Sequence, residues 1–324
     1  MYYIYKHYFF IILLVCCIYQ GYSQDALLLL KDQNPSYLNP ALTGYEDYTR
    51  ISLVYRNHFP AADKGFVTYS TSFDTYLKNF NSGIGLAIMR DQPGSKAYTY
   101  NNAMLSYSYR ITIGEGKSIR AGLLGNFYYS SKDPSKLTFP DMVNIDGSTN
   151  VNDEPYNKSK AIGLDIAAGV IYNSQRVTIG MAVYHIGNKN DSSYHHRQLK
   201  YSAHLEWRIP LYNKQTYANP QKGFQSILKQ AYIKPNAYYW QQAYSKILGI
   251  GIELYTNNLR LGINSRQDTK FKSMIISTRI GFVAAFMEID YIFDIGRLGS
   301  NLRGLSATSH ELGIIFKFGE EKEY

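Results

Sequence analysis

From residue 49 onward the chain alternates apolar and polar side chains, in stretch after stretch of about ten residues. Ala103, Leu105, Tyr107, Tyr109 and Ile111 are interleaved with Asn102, Met104, Ser106, Ser108 and Arg110. Successive strand side chains point to opposite faces, so such a stretch has one greasy face and one mainly polar face. The pattern selects strands over helices, but it does not say which face is outside. A soluble sandwich buries the greasy face, whereas a barrel in a bilayer turns it outward.

The start of the chain bears on that choice. Lys6 and His7 precede an apolar run from Phe9 to Ile18, and Gly21 and Ser23 occupy the −3 and −1 positions before Gln24. This layout predicts a secretory signal peptide over residues 1–23. The run is shorter than the roughly 20 residues of a spanning helix. Cys16 and Cys17, the only two cysteines, fall inside the leader, and their neighbours do not suit lipidation. The mature chain is therefore expected to carry neither disulfides nor thiolate chemistry.

After the leader no stretch is apolar and long enough for a spanning helix, which excludes a helical membrane protein. Tyrosine accounts for 32 of 324 residues, and its amphipathic ring suits the aromatic girdles at the lipid–water boundary. The formal charge is +9. No nucleic-acid motif accompanies it; the excess suits anionic lipid head groups, lipopolysaccharide or an acidic protein partner.

Strands are predicted at 49–58, 65–75, 82–91, 98–111, 117–129, 160–173, 176–186, 199–210, 230–241, 244–256, 258–266, 272–283, 285–294 and 310–318. The expected fold is all-β, an antiparallel transmembrane β-barrel of about 14 strands, an even number as usual for such barrels. Met274, Ile276, Thr278, Ile280 and Phe282 are assigned to lipid; Ser273, Ser277, Arg279 and Gly281 to the lumen. Likewise Met287, Ile289, Tyr291 and Phe293 oppose Glu288, Asp290 and Asp294, and Leu259, Leu261 and Ile263 oppose Arg260, Gly262 and Asn264. A basic residue facing the mid-bilayer costs roughly 2–4 kcal/mol, and the strand charges almost all fall on the inner face. Arg260 and Arg279 are expected to neutralise Asp290 and Asp294 across adjacent strands. Glycines recur inward at 83, 85, 163, 169, 249 and 251, leaving room for curvature or for a crowded lumen.

Tight connections at Asn173–Arg176, Thr256–Asn258 and Val283–Ala285 are assigned to the periplasm; the longer, polar Asp91–Ala97, Ser130–Lys160 and Gly187–Gln198 to the outside. Leu211–Lys229 departs from this rule, because it is long yet falls on the periplasmic side. The division is thus a leader at 1–23, a lead-in at 24–48, a barrel at 49–318 and a tail at 319–324. The lead-in holds two Asn-Pro pairs, which force extended or turn backbone. It is expected in the periplasm or in the lumen, as a plug, a periplasmic contact or a plain entry to the first strand.

Candidates for chemistry are sparse. His195 and His196 lie in a polar outer loop, and an adjacent pair supplies too few ligands for a metal. His204, Glu206 and Arg208 alternate on one strand face; they read either as an acid–base array or, more simply, as a lumen charge network. No phosphate loop or triad signature is present. No cofactor is expected.

NPSYLNPALTG (Asn34–Gly44) followed by RISLVYRNHFP (Arg50–Pro60) resembles the opening of the PorP/SprF family, outer-membrane proteins of the type IX secretion and gliding apparatus of Bacteroidota. The resemblance rests on Tyr37, Asn39, Pro40, Ala41 and Gly44, then Tyr55 and Arg56 with Pro60. It continues in the Gly-x-Gly strand from Gly83 to Asp91, in EIDYIFDI with Asp290 and Asp294, and in the closing strand with His310 and Glu311. It departs at Leu211–Lys229, at Ser130–Lys160 and at the tail. It implies a non-enzymatic barrel that assists secretion or surface attachment of a particular large cargo, such as an adhesin, through the cargo's C-terminal domain and alongside the type IX components. These positions would then serve structure or partner contact. A general porin and a barrel enzyme acting on lipid or surface peptide are the alternatives.

Overall fold

In the computed structural model the described residues are 25–60, 65–94, 97–137, 142–144, 146, 158–187, 197–211, 231–269, 273–297 and 306–319. The leader with Cys16 and Cys17, the histidines 195 and 196, most of the 133–158 and 211–229 connections and the end of the tail lie outside them.

The strands are β1 (Thr49–His58), β2 (Phe66–Leu77), β3 (Ser82–Gln92), β4 (Tyr98–Gly114), β5 (Lys117–Lys132), β6 (Ser159–Asn173) and β7 (Val177–Ile186). They continue with β8 (Lys200–Trp207, extended by Ile209–Pro210), β9 (Tyr232–Gln242), β10 (Ser245–Tyr255), β11 (Leu259–Asp268), β12 (Met274–Val283), β13 (Met287–Arg297) and β14 (Ser306–Phe318). Each pairs antiparallel with its chain neighbours. β1 also pairs with β14, from Thr49↔Phe318 to His58↔Ser309, so the sheet closes on itself. The result is a closed barrel of fourteen strands, with β8 interrupted once at Arg208. Closure removes the unpaired edges that a bilayer cannot satisfy.

The faces sort as the alternation predicts. Leu105 is 67% exposed, Leu164 78% and Phe282 62%, whereas Arg279 and Asp290 on the inner face are 5% and 1% exposed. β4 and β5 run longer than their apolar patterning, to Gly114 and Lys132, because the ladder between them persists beyond the greasy stretch. Short turns lie at one end, such as Ser174–Arg176, closed by Ser174 N–H donating to the Val177 carbonyl. The same end carries the start of β1 and the end of β14, and it faces the periplasm in barrels of this kind.

The interior is filled by the chain itself. Residues 25–48 run through the lumen from the loop end to the turn end. Asp25 lies beside His185, Lys200 and Gln242, at the loop ends of β7, β8 and β9. Tyr45 reaches Asn173 and Thr178 at the turn end. A short helix, α1 (Pro35–Leu38), and a 3-10 turn (Pro40–Leu42) lie between. Residues 33–41 are buried throughout. Leu28, Leu30 and Tyr37 pack with Val54, Ala87, Met89, Met104, Leu124, Ala167, Ala182, Tyr184 and Ile292. The dry core is therefore inside the barrel, on apolar positions that punctuate the otherwise polar inner face.

Candidate functional site: the lumen and its outer vestibule

Two unlike walls hold the inner segment. On one side β1 and β10–β14 carry charge. Asp32 accepts from Arg260 Nη1 at 3.1 Å and Arg279 Nη2 at 2.7 Å, and Arg50 Nη1 donates to the Asp32 carbonyl at 3.0 Å. Burial alone would raise the Asp32 carboxyl, but Arg279 and then Arg260 hold it well below the usual carboxylate range. Gln33 Nε2 donates to Asp290 at 2.9 Å. Glu311, fully buried, accepts from the backbone N–H groups of Leu29 and Leu30 at 3.0 and 2.7 Å, and from Arg56 Nη1 at 3.1 Å.

Against the turn at residues 39–44 the opposite wall, β3–β8, presents mainly small residues. The Gly122 Cα faces the backbone of Pro40 and Ala41, where a Cβ would come within 2.3 Å of the Ala41 nitrogen. Ser108 and Ser202 donate to the Thr43 and Leu38 carbonyls. The Asn39 carboxamide accepts from the Ala41 N–H and donates to the carbonyls of Val170 and Met181, which are partners on β6 and β7. Gly44 adopts a left-handed φ of 57°; its N–H donates to Asp74 and its carbonyl accepts from Arg120. Asn-Pro-Ala and the Gly that follows thus shape one turn pressed against the wall.

The structure brings most of the motif residues to this one assembly. Tyr37, Asn39, Pro40, Ala41 and Gly44 lie in the inner segment, and Arg56, Asp290 and Glu311 contact it or its partners. Asp294 lies one layer behind, bonded to Arg266 and 3.7 Å from Arg56. The expected pairing therefore divides: Asp290 takes both Arg260 and Arg279, whereas Asp294 takes neither. Asp91 accepts from Thr68 and lines the cavities described below. Tyr55 and His310 are different, because each precedes an inward residue and points to lipid. Tyr55 lies beside the Tyr69 ring, and His310 bonds the Tyr291 hydroxyl at 2.6 Å.

His204 and Glu206 have separate partners. His204 Nε2 sits 3.4 Å from the Asn39 amide, Glu206 pairs with Lys234 at 3.4 Å, and Arg208 falls in the break of β8 with its guanidinium over the Tyr232 ring. No nucleophile completes the set among these contacts. Among the described residues no group of three or more His, Cys, Asp or Glu side chains is arranged to hold a metal ion.

Above the segment, at the loop end, lies a vestibule of about 780 Å3 lined by Asp25, Ala26 and Leu27 with Arg56, Tyr98, Trp240 and Arg266 among others. A chamber of about 30 Å3 lies behind Asp25 and Ala26, against Tyr37, Asp165 and His185. The Asp25 carboxylate stands between them, 2.9 Å from His185 Nε2 and from Lys200 Nζ; Asp165 engages the other ring nitrogen of His185. Sequence reasoning did not foresee His185, Lys200 or Asp32 as anchors. The available sign was Met89, Met104 and Leu124 on a face that should have been wet.

In overall shape the barrel is similar to the Pseudomonas putida toluene transporter TodX, with a TM-score of 0.51 at 9% identity, over 92% of this chain and 95% of that one. It is also similar to the CymD monoaromatic hydrocarbon channel, with a TM-score of 0.49 at 12% identity, over 90% and 94%. Identities this low speak to fold alone. No curated protein matches the sequence. The profile of the type IX secretion system membrane protein PorP/SprF matches residues 23–316, nearly the whole chain. With the outer-membrane barrel in place, that match settles the family: the chain belongs to the PorP/SprF membrane proteins of the type IX secretion system.

Proposed function

We propose that this protein is a non-enzymatic docking barrel that helps one large cargo protein leave the cell or stay on its surface. The observation that carries this reading is an occupied lumen beneath an outer vestibule of about 780 Å3. A polypeptide cannot thread a lumen already crossed by residues 25–48, but a cargo domain can seat on the loops and vestibule above it. In this reading residues 1–23 are a cleaved leader, residues 24–48 are a plug, and residues 49–318 are the barrel. The motif residues Tyr37, Asn39, Pro40, Ala41, Gly44, Arg56, Asp290 and Glu311 seat the plug, Asp91 borders the docking vestibule, and the partners are the cargo's C-terminal domain and the type IX components.

The test is deletion of the gene followed by comparison of surface and secreted protein. One large surface protein should vanish from the cell or be shed into the medium, and an unchanged profile would reject the reading. Catalysis through His204 is a separate prospect that the same cells can address. His204→Ala should leave cargo display intact, and no hydrolytic activity on lipid or surface peptide should depend on it.

A further inference from the structure

The lipid-facing surface carries its own charge pattern. Among the described side chains, the outward positions of the strands hold four charged residues, Arg90, Lys117, Lys160 and Lys246, and all are basic. Lys117 is at the turn end, and the other three are at the loop end. Arg90 and Lys160 are gathered on one part of the wall. Register places Arg90, Asn101, Tyr129 and Ile162 in one row across β3–β6. Thr99, Ser131 and Lys160 form the next row towards the loops. The row just below, Ile88, Ala103, Phe127 and Leu164, is wholly apolar.

The greasy band thus ends where a strip of cations, hydroxyls, an amide and a tyrosine begins. Arg90 and Lys160 are exposed, and no carboxylate lies within ion-pair distance of either among the described residues. They sit three strands apart, a lateral separation of about 15 Å at the usual inter-strand spacing. A cation at the edge of the hydrocarbon extends its head to the interface, where an anionic head group of the membrane attracts it. Two cations so placed, with donors between them, match a sugar head group bearing a phosphate at each end.

We propose that the outward face of β3–β6 at the loop end, centred on Arg90, Tyr129 and Lys160, binds a bisphosphorylated glycolipid of the outer leaflet, that is, the lipid A part of lipopolysaccharide. The two cations hold the two phosphates, Asn101, Thr99 and Ser131 donate to or accept from the sugar, and the acyl chains lie on Ile88, Phe127 and Leu164. The site is distinct from the lumen and does not depend on the cargo reading. Lys246 faces lipid beside Gln241 on another part of the wall and serves as a control.

The experiment is native mass spectrometry of the detergent-solubilised full chain titrated with bisphosphorylated lipid A. The wild type should hold one molecule that phosphatidylglycerol of equal charge does not displace. Arg90→Gln with Lys160→Gln should weaken retention roughly ten- to thirtyfold, as expected for two basic residues at a charged membrane surface, while Lys246→Gln leaves it unchanged. Equal retention by the double variant, equal competition by phosphatidylglycerol, or an equal loss with Lys246→Gln each overturns the proposal. The double variant should keep the heat-dependent gel mobility of a folded barrel. If it does not, photo-crosslinking of wild type with an azido-lipid A decides, with adducts on β3–β6 expected and adducts elsewhere refuting the site.

Discussion

Asp32 shows how one side chain can decide where a segment lies. Its carboxylate holds two arginines from adjacent strands, and removing one partner of a fully buried ion pair costs about 3–5 kcal/mol. Here the side chain is 30% exposed, and Arg279 and Arg260 keep Asp290 and Glu288. Asp32→Asn should therefore loosen the inner segment by about 1–2 kcal/mol, read as faster proteolysis of residues 25–48 in an intact barrel. Because the folded-state carboxyl lies below its unfolded value, its contribution is fully present above about pH 4. It fades only as pH falls below that, so the difference in protease protection between wild type and Asp32→Asn should be the same at pH 8 and pH 5. Gly122 makes the complementary point through sterics. A Cβ there meets backbone rather than a movable side chain, so Gly122→Val should expel the Pro40–Leu42 turn while leaving the β4–β5–β6 ladders intact. A cysteine in place of Ala41 would then change from unreactive to reactive towards thiol reagents.

At the scale of elements, the inner segment is short of regular structure because its partners are side chains and carbonyls of the wall. α1 has four residues and no side-chain cap on its first N–H groups, the Asn34 amide instead donating to Ser70 on the wall, so isolated helix propensity does not account for it. Its stability is that of the surrounding contacts. Removing residues 25–44 should leave a barrel that still closes through β1 and β14, since that ladder starts at Thr49. It should also expose Met89, Met104 and Leu124 to water. In planar bilayers the intact protein should be nearly silent and the truncated form conductive; a large steady conductance from the intact protein would instead support a porin. At the loop end, Asp25→Asn should free the first residues of the segment from His185 and Lys200. The expected readout is labelling of an Ala26→Cys variant by a membrane-impermeant thiol reagent added to whole cells, slow in the parent and fast in the variant.

On the scale of the whole molecule, the barrel is inverted relative to a soluble domain only on its outside. Its lumen has a core of the ordinary kind, with Leu28, Leu30 and Tyr37 against Met89, Leu124 and Tyr184, beside a second sector in which arginines and carboxylates neutralise one another. The asymmetry gives the segment one charged and one small-residue surface to fit, which specifies its path and register. Among the described residues the cavity beside the segment lies at its outer end.

Strand number, closure and the direction of each face were legible from residues 49–318, and the family from short motifs that begin at Tyr37, because all of them follow from local alternation and local sequence. Alternation is a property of adjacent residues, and a closed sheet needs little more than enough strands of the right period. The place of residues 25–48 was not legible in that way. Asn39 finds its carbonyls on β6 and β7, Asp32 its arginines on β11 and β12, and Glu311 reaches Leu29 and Leu30 across more than two hundred residues of chain. No local period encodes such pairings. They exist only once fourteen strands have curved round a common axis and brought both ends of the sequence into one lumen.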